Sequence, residues 1–162
     1  MYFTIPYRVD IFAINPATTK EYSANRAITN SLLVRYVRSR ESFNPATYRY
    51  DYYTTVRVLS DPELYSRFRY FLRLSNPQSP LNAYSRVVNS DFSVRSIQHL
   101  DDNSALVRFT LLMTNKDGMT AKLNKVATVG FVYSSLTMTE EDRYANPLGF
   151  VVSSYQVEDD QV

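Results

Sequence analysis

The sequence predicts an α+β domain in which helices pack on one face of a curved, four-stranded antiparallel sheet. Three observations in the chain point there. Apolar residues recur at helical spacing through the first half, they alternate with a period of two from Phe92 onward, and no repeat, low-complexity tract or long linker divides the chain. Helices followed by a meander of strands fit one layer of each, so a single domain is expected over 1–162, with 1–6 as an extended N-terminal arm.

Taken in order, Thr4 to Ile14 carries β-forming residues up to Asn15-Pro16 and reads as a short strand or extended arm. From Ala24 to Phe43 the residues Ile28, Leu32, Leu33, Tyr36, Val37 and Phe43 make a helical stripe, with Thr18 and Glu21 spaced as a capping box ahead of it. Asn44-Pro45 interrupts it, because a residue before proline is pushed out of the α region. A second helix carries Tyr48, Tyr52, Thr55, Val56 and Leu59. Ser60-Asp61-Pro62-Glu63 then opens a third, with Ser60 as N-cap, Pro62 in the first turn and Leu64, Tyr65, Phe68, Phe71 and Leu72 facing inward. Asn76-Pro77-Gln78-Ser79-Pro80 is expected to stop helical structure.

The strands follow. Phe92 to Leu100 alternates imperfectly, which predicts a bulge. Ala105, Val107, Phe109, Leu111 and Met113 alternate cleanly, and Asn115-Lys116-Asp117-Gly118 is a hairpin turn into Val126 to Ser135, where Ala127, Val129, Phe131 and Tyr133 share a face. The final strand comes after Asn146-Pro147-Leu148-Gly149, in which proline fixes φ and glycine permits a positive one. Val151, Ser153, Tyr155 and Val157 are expected on one face of it, and Phe150, Val152, Ser154 and Gln156 on the other.

A chain of 162 residues, 44% hydrophobic and 21% charged, is long enough for one core without staples. It has no cysteine, which removes disulfides, thiol nucleophiles and thiolate metal sites. The net charge of +2 is too small to indicate nucleic acid by itself. No run of apolar residues has the length of a membrane span and no signal-peptide core is present, so the chain as it stands is expected to be soluble.

Few constellations carry chemistry. His99 is the single histidine; it lies beside Asp101 and Asp102, where a solvated turn is the expected setting, and no nucleophile elbow, metalloprotease motif, P-loop or dinucleotide fingerprint accompanies it. Asp101-Asp102 and Asp159-Asp160 lack ligand spacing, so no metal and no cofactor is expected. A cone-shaped enzyme with a buried carboxylate base would need an acid at an interior strand position, and those positions are apolar. Arg and Tyr interleave in Val34 to Arg40, Tyr48 to Arg57 and Tyr65 to Arg73, a footprint of single-stranded nucleic-acid binding. Helical spacing gives a plainer account, with aromatics inward and Arg on the solvated face.

Several motifs in register carry a resemblance. Tyr36-Val37-Arg38-Ser39-Arg40-Glu41, Leu59-Ser60, Asn76-Pro77-Gln78-Ser79-Pro80, Ala105-Leu106-Val107-Arg108-Phe109-Thr110, Asp142-Arg143, Asn146-Pro147-Leu148-Gly149-Phe150 and Ser154-Tyr155-Gln156-Val157-Glu158 follow one another in order. Together they resemble the periplasmic domain of the eighth VirB component of type IV secretion systems, over about Tyr7 to Asp159. The chain departs from that family at Asn124-Lys125-Val126-Ala127, where a Trp is usual and this sequence has none.

The resemblance implies a nuclear-transport-factor-like cone and a non-catalytic assembly scaffold, the periplasmic part of a single-pass bacterial inner-membrane protein. Its membrane helix would precede Met1. It also implies a weak homodimer that touches other inner-membrane and core-complex components and nucleates the channel. Direct nucleic-acid binding is not expected. The alternative is a small-ligand or nucleic-acid-binding module of the same shape. Arg38 and Glu41, three apart on one helical face, are expected with Tyr155 to line a partner groove between the first helix and the last strand. Asn146, Pro147, Leu148, Gly149 and Phe150 are expected as a structural turn that also offers partner contacts, with Leu148 and Phe150 as core anchors.

Overall fold

A computed structural model describes residues 24–83, 87–134 and 137–161, so the arm, the Thr4 to Ile14 segment and the Thr18–Glu21 box lie outside the described residues. The first helix, α1, is Ala24–Glu41. The chain divides inside it at Leu32, and everything from Leu33 onward forms one unit. In that unit Leu33, Tyr36 and Val37 are fully buried, as the spacing i, i+3, i+4 requires of a helix with one face on a core.

After Asn44-Pro45 comes one near-continuous helical stretch made of α2 (Tyr48–Tyr50), a π-helical turn (Asp51–Thr55) and α3 (Val56–Leu59). The wide turn still puts Tyr52, Thr55, Val56 and Leu59 inside. Helix α4 is Pro62–Phe71. Its cap is Asp61, whose Oδ1 accepts from the Glu63 and Leu64 backbone N–H groups at 2.8 and 3.2 Å. Ser60 does not cap α4. It bridges in parallel to Val152, and its hydroxyl is buried against Tyr36 at 2.8 Å. Leu64, Phe68 and Leu72 face the core, while Phe71, on the same stripe but in the last turn of the helix, is 42% exposed because it lines an open groove. Nor does the Asn76–Pro80 segment end helical structure, since the short α5 (Pro80–Ala83) starts on its last proline.

The sheet is antiparallel throughout, in the order β1 (Val87–Asp101), β2 (Ser104–Asn115), β3 (Thr120–Tyr133), β4 (Phe150–Asp159). β1 has the expected bulge, a register shift between Val94 and Ser96. The β2–β3 hairpin turns at Gly118, φ +79°, with Asn115 Oδ1 accepting from the N–H groups of Asp117 and Met119. Ala105, Val107, Phe109 and Leu111 are buried, as are Ala127, Val129 and Phe131, whereas Tyr133 at the end of β3 is half-exposed. Stacked or edge-on ring pairs knit the layers, including Phe131–Phe150 at 5.2 Å and Tyr52–Phe68 at 5.7 Å.

β4 breaks the expected simple alternation. Phe131 pairs with Val152 but Gly130 pairs with Ser154, so Ser153 is an extra residue. The bulge switches parity: Phe150 and Val152 are buried before it, and Tyr155 and Val157 are half-buried after it, while Ser153, Ser154 and Gln156 are exposed. Tyr155 thereby comes to the same side as the core aromatics. A short helix, α6 (Glu140–Ala145), which the residue pattern did not suggest, leads into β4; the Thr139 hydroxyl caps it by accepting from the Asp142 N–H at 3.1 Å.

Candidate functional site

The last turn of α1 and the second half of β4 flank an open groove of about 540 Å³, floored by Leu111, Met113 and Val157 and walled by Arg40, Glu41, Phe68, Lys125 and Tyr155. Helical geometry delivers the first two. Arg40 is four past Tyr36, and Glu41 is four past Val37, so both continue the buried stripe of α1 at its open end. The Ser153 bulge delivers Tyr155 from the other side.

These groups lock together. The Tyr155 hydroxyl donates to Glu41 Oε2 at 2.8 Å. The Arg40 guanidinium lies 4.2 Å from the Tyr155 ring centre and 4.6 Å from that of Phe68, and its Nη1 donates to the Tyr36 hydroxyl at 3.1 Å. Tyr36 meets Tyr155 edge-on at 5.6 Å. Lys125 Nζ pairs with Asp159 Oδ1 at 3.0 Å across β3 and β4.

Burial raises the Glu41 carboxyl above its ordinary pKa, opposed by the Tyr155 hydrogen bond and by the charges of Arg40 and Lys125. Burial first, then the Glu41 charge, pushes the Tyr155 hydroxyl well above the usual phenol range. Tyr36 is raised by burial too, against the pull of Arg40 and Ser60. Both phenols therefore stay protonated at neutral pH. They act as donors and as ring surfaces, and the arrangement is suited to recognition.

Of the predicted groove residues, Glu41 and Tyr155 are brought into contact here. Arg38 goes elsewhere: it is exposed, and its guanidinium sits 5.3 Å over the Phe92 ring of β1. Arg40 and Lys125 join the groove without having been singled out from the sequence. Arg40 was recognisable, since Leu33 and Arg40 are seven apart and so share a face, whereas Lys125 depends on the β3–β4 pairing.

The turn before β4 is largely structural in its contacts. Asn146 is fully buried, its Nδ2 donating to the Val58 and Phe150 carbonyls at 2.9 and 3.0 Å and its Oδ1 accepting from the Phe150 N–H at 3.0 Å. Gly149 has φ +68°, and a β-carbon there would run into the Ser134 carbonyl oxygen. Phe150 is fully buried, but Leu148 is 52% exposed and is not a core anchor: the turn points it outward, and Phe150 alone plugs the core. Pro147 is exposed beside it.

Three of the acids set aside earlier, Asp101, Asp159 and Asp160, have partners. Asp160 takes Arg95 and Arg108, and Asp101 accepts from the Asn103 N–H and the Ser104 hydroxyl in the β1–β2 turn. His99 lies in β1 opposite Ala105, where its ring meets Phe131 edge-on at 6.4 Å, so a strand and not a solvated turn holds it. Among the described residues no group of acids or histidine could hold a metal ion, and no helix is long and apolar enough to cross a membrane.

The chain matches the family model described as VirB8 protein over residues 10–160. It is 32% identical over 132 residues to the type IV secretion system protein virB8 of Bartonella quintana, covering 82% of this chain. It spans only 56% of the length of that relative. Its fold resembles that of the VirB8 protein of Agrobacterium tumefaciens, with a TM-score of 0.78 and 26% identity over 86% of this chain and 96% of the other. It also resembles the TraE protein solved in complex with 2-chloroisonicotinic acid, with a TM-score of 0.71 and 26% identity over 85% and 98% of the two chains. A family match over nearly the whole chain, on a fold of helices over a four-stranded antiparallel sheet, means that this chain belongs to the VirB8 family of type IV secretion system components.

Proposed function

We propose that this chain is the periplasmic, non-catalytic assembly module of a type IV secretion machine, anchored in the inner membrane by a helix preceding Met1, and that the groove between α1 and β4 docks other components of the machine. The observation that carries this is the composition of the groove: an open apolar floor rimmed by Arg40, Glu41, Lys125 and Tyr155. Cation, anion and apolar surface side by side are what a specific protein–protein contact needs, the charges setting register and partner choice. Alanine at Glu41 or Tyr155 tests it, with Arg38→Ala, outside the groove, as the control. Capture of the machine's inner-membrane and core-complex components should drop, and secretion with it; intact capture and secretion would refute the docking role. The module is also proposed to self-associate weakly, which sedimentation at rising concentration should reveal as a growing average mass. A mass that stays monomeric would oppose that part.

A second reading has one observation in its favour. TraE, a relative in fold, was solved with an aromatic carboxylic acid, and the present groove sets Arg40 and Lys125 above an apolar floor, the features such an acid would use. Titration calorimetry with 2-chloroisonicotinic acid decides it. Saturable heat lost in Arg40→Ala supports a small-ligand site, and no heat removes it.

A further inference from the structure

We infer that the C-terminal end of α4 and the turn after it form a second binding surface, distinct from the groove, which takes an acidic segment of a partner protein between Arg69 and Arg73. Arg69 lies in the last turn of α4 and Arg73 just past its C-terminal cap Leu72, and both line one depression. Each guanidinium lies against aromatic rings: Arg69 is 5.4 Å from the Tyr53 ring centre and 6.0 Å from Tyr65, and Arg73 is 4.5 Å from Tyr70. A stacked guanidinium keeps its in-plane N–H donors at the edge, ready for a carboxylate fork.

Four other arginines are already paired with carboxylates: Arg57 with Asp142, Arg67 with Glu63, Arg95 and Arg108 with Asp160. Arg69 and Arg73 have no carboxylate partner among the described residues. Between them lies a depression of about 410 Å³ lined by Tyr65, Ser66, Arg69, Tyr70 and Arg73, which shares no lining residue with the groove. The hydroxyl of Tyr65, a residue that lines the depression, is shielded from water with no hydrogen-bond partner among the described residues. A buried polar atom of this kind is expensive unless something completes it. Tyr70 and Leu74, 67% and 70% exposed, add apolar contact beside the two cations.

The charge setting chooses the class of ligand. Glu63 sits on the same helix, and Asp142 and Glu141 act on Arg57, which also feels Tyr65. Arg69 and Arg73 are the two cations that line the depression, and with a whole-chain charge of only +2 the positive field is local. It suits a peptide bearing one or two carboxylates with an apolar neighbour. A nucleic-acid strand or an anionic membrane is held by a wider basic surface than these two cations make.

Fluorescence anisotropy of a labelled peptide of alternating Glu and Leu tests this on the chain as given. Saturable binding that weakens roughly tenfold in Arg69→Ala and in Arg73→Ala, with Glu41→Ala unchanged, is expected. Arg73→Lys keeps the charge but not the fork and should also bind more weakly, which covers the case of an alanine variant that folds poorly. Binding indifferent to both arginines would overturn the proposal. So would tighter binding of oligo-dT or of phosphatidylglycerol vesicles than of the peptide, or equal binding of a Lys-Leu peptide.

Discussion

Asn146 shows how one side chain can hold a turn. Its amide serves the α3 carbonyl of Val58 and both backbone groups of Phe150, so Asn146→Ala strands three buried polar groups and should cost about 2–3 kcal/mol in urea unfolding. Gly149→Val combines an unfavourable φ with a clash on Ser134 and should cost about 2–4 kcal/mol, while the neighbouring Leu148→Ser, at an exposed position, should stay within about 0.5 kcal/mol. At Glu41 the effect depends on pH. The folded state holds the Glu41 proton more tightly than the unfolded chain, so this group's contribution falls as pH rises from the ordinary carboxyl range through the raised folded value. Tyr155→Phe removes a donor that favours the ionised carboxyl, pushing that pKa further up. Its destabilisation should therefore be larger on the alkaline side of the Glu41 titration than on the acid side; equal loss on both sides would count against the Tyr155–Glu41 hydrogen bond.

At the scale of elements, the Ser153 bulge is one extra residue in β4. Deleting Ser153 would leave Tyr155 two residues after Val152, so regular alternation would keep Tyr155 and Val157 on the groove side, and the variant should still unfold cooperatively by circular dichroism; loss of cooperative unfolding would contradict this reading of the bulge. The Arg57–Asp142 pair between α3 and α6 is bidentate but partly exposed, so a double-mutant cycle should find at most about 1 kcal/mol. These elements also mark where the sequence was readable. The helices of the first half and the β2–β3 hairpin were plain from periodicity and from Asn115-Gly118, because each is settled by residues close in the chain. The β4 bulge was not, since the extra residue is defined only by its partners Gly130 and Phe131. Ser60 looked like a cap for the same reason: the competing demand on it comes from Tyr36 and Val152, far away in sequence.

For the whole molecule, the α+β order and the family were legible, because a helical half followed by an alternating half leaves few layer arrangements, and ordered motifs spanned most of the chain. The groove was legible only in part. Glu41 and Tyr155 were identifiable; Arg40 and Lys125 needed the packing of α1 on β4 and the pairing of β3 with β4. What the molecule then offers is a rigid layer pair presenting charged, apolar-floored surface at one end of α1, and the account stands or falls on whether machine components bind there. Glu41→Ala is the sharpest probe, since it removes the groove's one carboxylate; it also leaves the Tyr155 hydroxyl without its acceptor and should lower the melting temperature somewhat, so capture is compared at matched folded concentration. Capture of type IV secretion components by this variant and by the native chain, at matched folded concentration, is the direct measurement. The groove account predicts about tenfold weaker capture; capture at the native level by a normally folded Glu41→Ala chain would contradict it.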